Sequence, residues 1–247
     1  MSDEKPRVMI GVPTYGNIAD RLYENLAHTA SHAIDNGIEI IGAKLVFNYW
    51  QRGSSIPTNR HKICEVAEKV KADYVLMVDS DMAQIPDDAI VRLVNHKKPL
   101  VGALYFAKQP PCVPIASRRD RKGNYVPIIN YEKEETTGGL LSVDGIGFGM
   151  VLLSIPMIQK IMEVKGDRPL FNMHETKGED YWFCELAKEA GFPVFVDVGL
   201  EIGHRGEYTY TSVDLHRFKP LVEEIKEKYE KSTLDAINAV VRQFNTW

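Results

Sequence analysis

The chain has 247 residues, 44% hydrophobic and 26% charged, with 30 basic against 34 acidic side chains and a net charge of -4. This is a soluble, folded composition, long enough for one large α/β domain or two small ones and for a core that needs no staple. The mild acidity speaks against a duplex nucleic-acid binder, which needs a basic surface to replace counterions, but not against a nucleotide held through a metal.

The first seven residues carry charges of both signs and lead into a strand-sized apolar run, which fits neither a signal peptide nor an anchor. Residues 8–12 read as a short buried strand that stops at Pro13. Residues 20–36 read as a helix with Leu22, Leu26, Thr29 and Ala33 on one face and Gly37 at its end. A second strand is expected over 38–47, followed by a polar loop over 48–59. Helical spacing resumes over 60–71 through Ile63, Ala67 and Val70. Residues 74–78 form a continuous apolar strand that ends at Asp79-Ser80-Asp81. Pro86-Asp87-Asp88 opens a further helix, with proline early and acids in the first turn. Another strand follows over 100–106. This alternation predicts a mostly parallel sheet.

The second half is less regular. Pro110, Pro111 and Pro114 break the chain, and 118–135 is polar and mixed in charge. A glycine-rich stretch over 138–149 leads into a strand over 150–153. Helices are expected over 155–164 and 180–190, with a strand over 194–198 between the second helix and Gly203-His204-Arg205-Gly206. From Asp214 onward the chain reads as helical. One stripe is Leu215, Phe218, Val222, Ile225 and Tyr229; a second is Leu234, Ile237, Val241 and Phe244, behind a capping box that starts at Ser232. These stripes predict packing onto the main domain, with a homodimer through the C-terminal helices as the alternative. Cys64, Cys112 and Cys184 are scattered and odd in number, which argues against a disulfide framework and for a reducing, cytoplasmic setting.

Ligands of open α/β sheets gather at the carboxyl ends of strands. Asp79 and Asp81 stand at such an end, and two carboxylates that close repel unless a divalent cation relieves them. A solvated turn is the plainer alternative. Pro13 and Thr14 follow another strand end. Glu179 and Asp180 begin a helix, where a cap is the plainer reading. His204 sits between glycines and offers an imidazole suited to manganese or a similar metal.

Taken in order, Val12-Pro13-Thr14-Tyr15, Asp79-Ser80-Asp81, the segment from Asp144 to Gly149, Glu179-Asp180 and His204 resemble the motifs of nucleotide-sugar glycosyltransferases of the GT-A fold, closest to the family 2 type. The similarity spans residues 8–206. It implies a Rossmann-like, mostly parallel sheet flanked by helices over 1–212, with a helical extension over 213–247. It also implies a metal-dependent transfer from a nucleoside-diphosphate sugar, UDP favoured, to a carbohydrate or other hydroxyl acceptor, with inversion. In that reading Pro13, Thr14 and Tyr15 line the nucleoside pocket, with Arg60 and Ser80 on the nucleotide side. Asp79 meets the ribose or the metal. Asp81 and His204 ligate manganese or magnesium, Asp180 is the base with Glu179 beside it, and Trp182 borders the acceptor or belongs to the core.

The sequence departs from the family at Gly16, where asparagine is common, and after the second strand, where the base-reading acid is replaced by Asn48-Tyr49-Trp50. The Q-x-x-R-W element of processive members is absent. A nucleotidyltransferase is the nearest rival; it would be expected to carry a basic residue in a glycine-rich loop after the first strand. A non-catalytic carbohydrate-binding protein of the same fold is another alternative. A Rossmann oxidoreductase is disfavoured, since no G-x-G-x-x-G follows the first strand.

Overall fold

The computed structural model describes residues 4–14, 20–41, 55–134, 136, 138–174, 177–206, 209–228 and 230–244. In chain order these form β1 (Arg7–Gly11), α1 (Asp20–Asp35), β2 (Glu39–Ile41), α2 (Ile56–Lys69), β3 (Tyr74–Val78), β4 (Met82–Ala83), α3 (Ala89–Asn95) and β5 (Leu100–Leu104). There follow β6 (Ala116–Arg119), β7 (Tyr125–Pro127), β8 (Leu140–Val143), β9 (Gly145–Ile146), β10 (Met150–Ser154), α4 (Ile155–Val164), α5 (Glu179–Glu189) and β11 (Val194–Glu201). The chain closes with β12 (Gly203–Arg205), β13 (Thr209–Tyr210), α6 (Ser212–Lys228) and α7 (Thr233–Phe244).

Seven strands make the central sheet in the order β2-β1-β3-β10-β5-β11-β8. β1 runs parallel to β2 and β3, and β11 runs parallel to β5. β10 is antiparallel to both neighbours and β8 is antiparallel to β11, so all the others point one way. This is the Rossmann-like, GT-A type of α/β sheet that the resemblance implied.

The central strands are continuous apolar runs because both faces are covered. Along β3, Val75 and Met77 enter one core while Leu76 and Val78 enter the other; β10 divides Val151 and Leu153 from Met150 and Leu152 in the same way. α2, α4 and α5 cover the first face through Ile63, Ile158 and Phe183. α1 and α3 cover the second through Leu22, Leu26, Ile90 and Leu93. Each such side chain contributes about 1.5–3 kcal/mol by burial.

α2 begins earlier than its periodicity suggests. Ser55 caps it by accepting from the Thr58 amide at 3.4 Å, and Pro57 occupies the first turn, where its missing N–H costs nothing. Residues 116–134 form a ribbon, in which β6 pairs with β7 and β9. α6 and α7 bury Val222, Ile225, Ala236, Ile237 and Val240 with Ile129 of that ribbon, so the inward face of α7 lies beside the expected stripe. Ser232 accepts from the Asp235 amide at 3.2 Å, the cap expected there. Tyr229 and the region 42–54 lie outside the described residues. No helix among the described residues is long and apolar enough to cross a membrane.

Candidate functional site

The topology brings the chemistry-bearing segments to one sheet edge. The carboxyl ends of β1, β3, β5 and β11 lie there, together with the amino end of antiparallel β10. Because α2 leads into β3 and α5 into β11, both helices present their N-terminal turns to that edge.

Asp79 is the first residue after β3, and its amide donates to the Gly149 carbonyl at 2.9 Å, which ties the acidic turn to the start of β10. Its side chain faces Arg60. Nη2 of Arg60 donates to Asp79 Oδ1 at 3.0 Å and Nε donates to Glu179 Oε1 at 3.1 Å. Arg60 is 2% exposed, and its remaining Nη1 is buried without a hydrogen-bond partner among the described residues. The guanidinium lies over Phe148 at 5.3 Å from the ring centroid. Thus Arg60 is an internal strut between the acidic turn and the start of α5.

Burial raises the Asp79 pKa to about 6; Arg60 opposes the shift, while Asp81 and Glu179 add to it. Asp180 goes further. Burial and the adjacent Glu179 push it to about 7, against the pull of Arg60 and of a 2.8 Å hydrogen bond from the Tyr181 amide. Glu179 and Asp180 occupy the first turn of α5, where the helix dipole favours the carboxylate; desolvation outweighs that preference at Asp180.

Asp81 behaves in the opposite sense. Burial pushes it up, but hydrogen bonds from His204 and Lys108 and their charges prevail and bring it down to about 2. The Lys108 ammonium sits on Asp81 Oδ2, and His204 Nε2 lies 3.7 Å from the same oxygen. A backbone ladder enforces this meeting: His204 pairs with Met82 between β12 and β4, and the Arg205 amide donates to the Asp81 carbonyl at 2.8 Å. His204 Nδ1 is 2.7 Å from the Phe106 carbonyl, which can only accept, so Nδ1 carries a proton and Nε2 is the nitrogen that faces Asp81. Tyr105 packs edge-on against the imidazole at 5.1 Å.

The glycines before β10 admit that tyrosine. A Cβ on Gly147 would run into the Tyr105 hydroxyl, and one on Gly149 would lie 2.8 Å from its ring. The Gly149 amide donates to the Tyr105 hydroxyl at 3.2 Å.

Pro13 and Thr14 follow β1 and are buried, with the Thr14 carbonyl accepting from Asn59 Nδ2 at 3.2 Å. Tyr15 lies outside the described residues. Ser80 is half-buried in the turn between the two aspartates. Trp182 donates to the Pro169 carbonyl at 3.0 Å and packs on the core. Asp144 is ion-paired with Lys188 and caps the Arg119 amide, away from the cluster.

The edge therefore holds two groups: Arg60 with Asp79, Glu179 and Asp180, and Asp81 with His204 and Lys108. No three His, Cys, Asp or Glu side chains gather as a ready metal cage among the described residues. The Asp81–His204 pair nevertheless fits a divalent cation in chemistry: one carboxylate and one imidazole whose Nε2 faces it. Their 3.7 Å separation is close to the roughly 3–3.7 Å between two ligands about 2.1 Å from one ion. Two cavities of about 410 and 420 Å³ lie along the β6–β7 ribbon; Arg119 lines both, and Tyr125, Lys177 and Glu185 line the second.

Sequence reasoning missed Lys108, Tyr105 and the Phe106 carbonyl. Tyr105 and Phe106 lie just past the end of β5, a position that the strand-end rule marks as strongly as the ends of β1 and β3; Lys108 follows further on, beyond that signal.

The chain shares its fold with A197 from STIV. The two align with a TM-score of 0.50 at 19% identity over 81% of this chain and 86% of A197. Looser likenesses include CMP:2-keto-3-deoxy-manno-octonic acid synthetase complexed with CTP (TM-score 0.44, 13% identity, 89% of this chain and 99% of that one). GalNAc-T7 with UDP, GalNAc and Mn2+ is similar at a TM-score of 0.43 and 11% identity over 90% of this chain and 48% of that one. No family model matches the sequence, and no curated protein matches it significantly. At this level the likeness speaks of fold; the chemistry has to come from the residues.

Proposed function

We propose that the chain is a metal-dependent glycosyltransferase that moves a hexosyl group from a nucleoside-diphosphate sugar, UDP favoured, to an acceptor hydroxyl with inversion. The observation that carries this reading is Asp180: a carboxyl brought to about 7, at a helix start, beside the strand-end acidic turn. A general base works best with a pKa near the working pH. An attacking sugar hydroxyl needs such a base. A nucleotidyltransferase, whose nucleophile is a phosphate oxygen already ionised, does not.

In this mechanism Asp180 takes the acceptor proton as the hydroxyl oxygen bonds to the anomeric carbon. The bond from that carbon to the diphosphate oxygen breaks on the opposite face, and the nucleoside diphosphate leaves with the electron pair. Arg60 holds Asp79 and Glu179 in place and keeps Asp180 from rising further. Pro13, Thr14 and Tyr15 border the nucleoside, and Asp79 with Ser80 faces the ribose and phosphate side. Asp81 and His204 would hold manganese or magnesium. Such an ion supplies Lewis-acid neutralisation of the departing diphosphate.

Asp180→Asn should keep UDP-sugar binding and lower transfer about 10²–10⁴-fold, the usual contribution of a positioned base. Turnover at the wild-type rate in that variant would remove Asp180 from the mechanism. Release of pyrophosphate in place of nucleoside diphosphate would turn the assignment to nucleotidyl transfer.

A further inference from the structure

Lys108 deserves a role of its own, because its ammonium occupies ground that a metal would need. It lies between Phe106 and the proline pair at 110–111. The Phe106 carbonyl accepts from His204 Nδ1 at 2.7 Å, and two residues later the Lys108 ammonium is seated on Asp81 Oδ2. That oxygen is the one facing His204 Nε2 at 3.7 Å. One short segment thus supplies the prop for the imidazole and a cation for the carboxylate. Asp81 is the hydrogen-bond partner of Lys108 among the described residues. The lysine and aspartate side chains are 36% and 39% exposed, so the ammonium is free to leave without opening the core.

We propose that Lys108 is a built-in competitor for the divalent ion: it neutralises Asp81 in the unliganded chain and must be displaced when metal binds. The proposal rests on the reading of Asp81 and His204 as the metal-holding pair. A divalent ion on Asp81 Oδ2 stands about 2.1–2.5 Å from that oxygen, hence within roughly 4–5 Å of an ammonium hydrogen-bonded to it. Two positive centres that close, in a half-buried place, exclude one another. The lysine holds the Asp81 carboxylate beside His204 before metal arrives. The cost is weak binding of metal alone. A nucleoside diphosphate changes the balance, because its oxygens ligate the ion and its charge accepts the displaced ammonium. Metal and nucleotide then strengthen each other, and by linkage the coupling is the same read from either side.

The test is Mn2+ binding, read from the EPR signal of the free ion, to the wild type, Lys108→Met, Lys108→Arg and Asp81→Asn, with and without UDP. Lys108→Met should bind Mn2+ at least tenfold more tightly than wild type without UDP, and the strengthening by UDP should shrink. Lys108→Arg, which keeps the charge, should resemble the wild type. If Lys108→Met binds Mn2+ no more tightly than wild type while Asp81→Asn loses it, the metal site stands and the competitor role is overturned. If no form binds Mn2+ even with UDP, both the metal assignment and the competitor role fail. Circular dichroism of each variant establishes that it is folded.

Discussion

Asp180, in the first turn of α5, and Asp197, on β11, are both carboxyls set close to an arginine. Asp197, on β11, is fully buried, and every direction around it is answered. Arg92 of α3 donates to its two oxygens at 2.9 and 3.0 Å through Nη2 and at 3.2 Å through Nε. His96 Nε2 lies 2.8 Å from Oδ2, and the Gly199 amide donates to Oδ1 at 2.9 Å. Around Arg60 the balance is reversed. One guanidinium faces Asp79, Glu179 and Asp180, two of those acids are pushed toward neutrality, and a buried donor on the arginine has no partner among the described residues. The residue types are the same; the saturation of donors and acceptors differs. A buried carboxylate with all its lone pairs engaged is a rivet. One left short of donors keeps a proton within reach, which is useful only where a proton has to move.

The contrast can be broken or sharpened by substitution. The largest effect is expected at the saturated centre. Asp197→Ala leaves Arg92 without its buried partner and should cost about 3–5 kcal/mol in urea denaturation, with the turnover of the folded fraction unchanged. Parallel loss of turnover would mean that the rivet also feeds the site.

The unsaturated centre should answer with the opposite sign. The Asp180 pKa is higher folded than unfolded, so its ionisation costs stability fully above about pH 7, and the cost vanishes below about pH 4. Asp180→Asn removes that cost. It should be more stable than wild type by about 1–3 kcal/mol at pH 8, and the gap should narrow toward pH 5. A destabilised variant at pH 8 would place Asp180 with the rivets.

The smallest effect is in the pH profile. With Asp180 as base, log kcat/KM should rise by one unit per pH unit below about 7 and level off above it, where an ordinary aspartate would level off near 4. Each unit amounts to about 1.4 kcal/mol in the barrier.

The sequence carried the strand ends well, because a buried strand stopping at charged residues is a local signal. Residues 74–78 before Asp79 were legible for that reason, and the helix over 155–164 was legible as helical sequence. The pairing of Asp81 with His204 was legible as a set of motifs but not as geometry, since it depends on the short β4–β12 ladder. Arg60 read as a charge facing the nucleotide. Its position one face-turn from Ile63 and Cys64 placed it inside instead, where two carboxylates hold it. Lys108 was invisible because it follows a strand end by several residues and carries no motif. The face of α7 came out beside the Leu234 and Val241 stripe, as Ala236 and Val240 are small enough to approach α6 and the ribbon closely.

The β4–β12 ladder joins parts of the chain that are far apart in sequence. His204 reaches back across 98 residues to Phe106, and β12 zips onto a two-residue strand. A chain still in synthesis therefore holds Asp79 and Asp81 before it holds the imidazole that completes the pair. In the mature protein, amide exchange over Gly203–Arg205 should report what sits on Asp81, since the Arg205 amide donates to the Asp81 carbonyl.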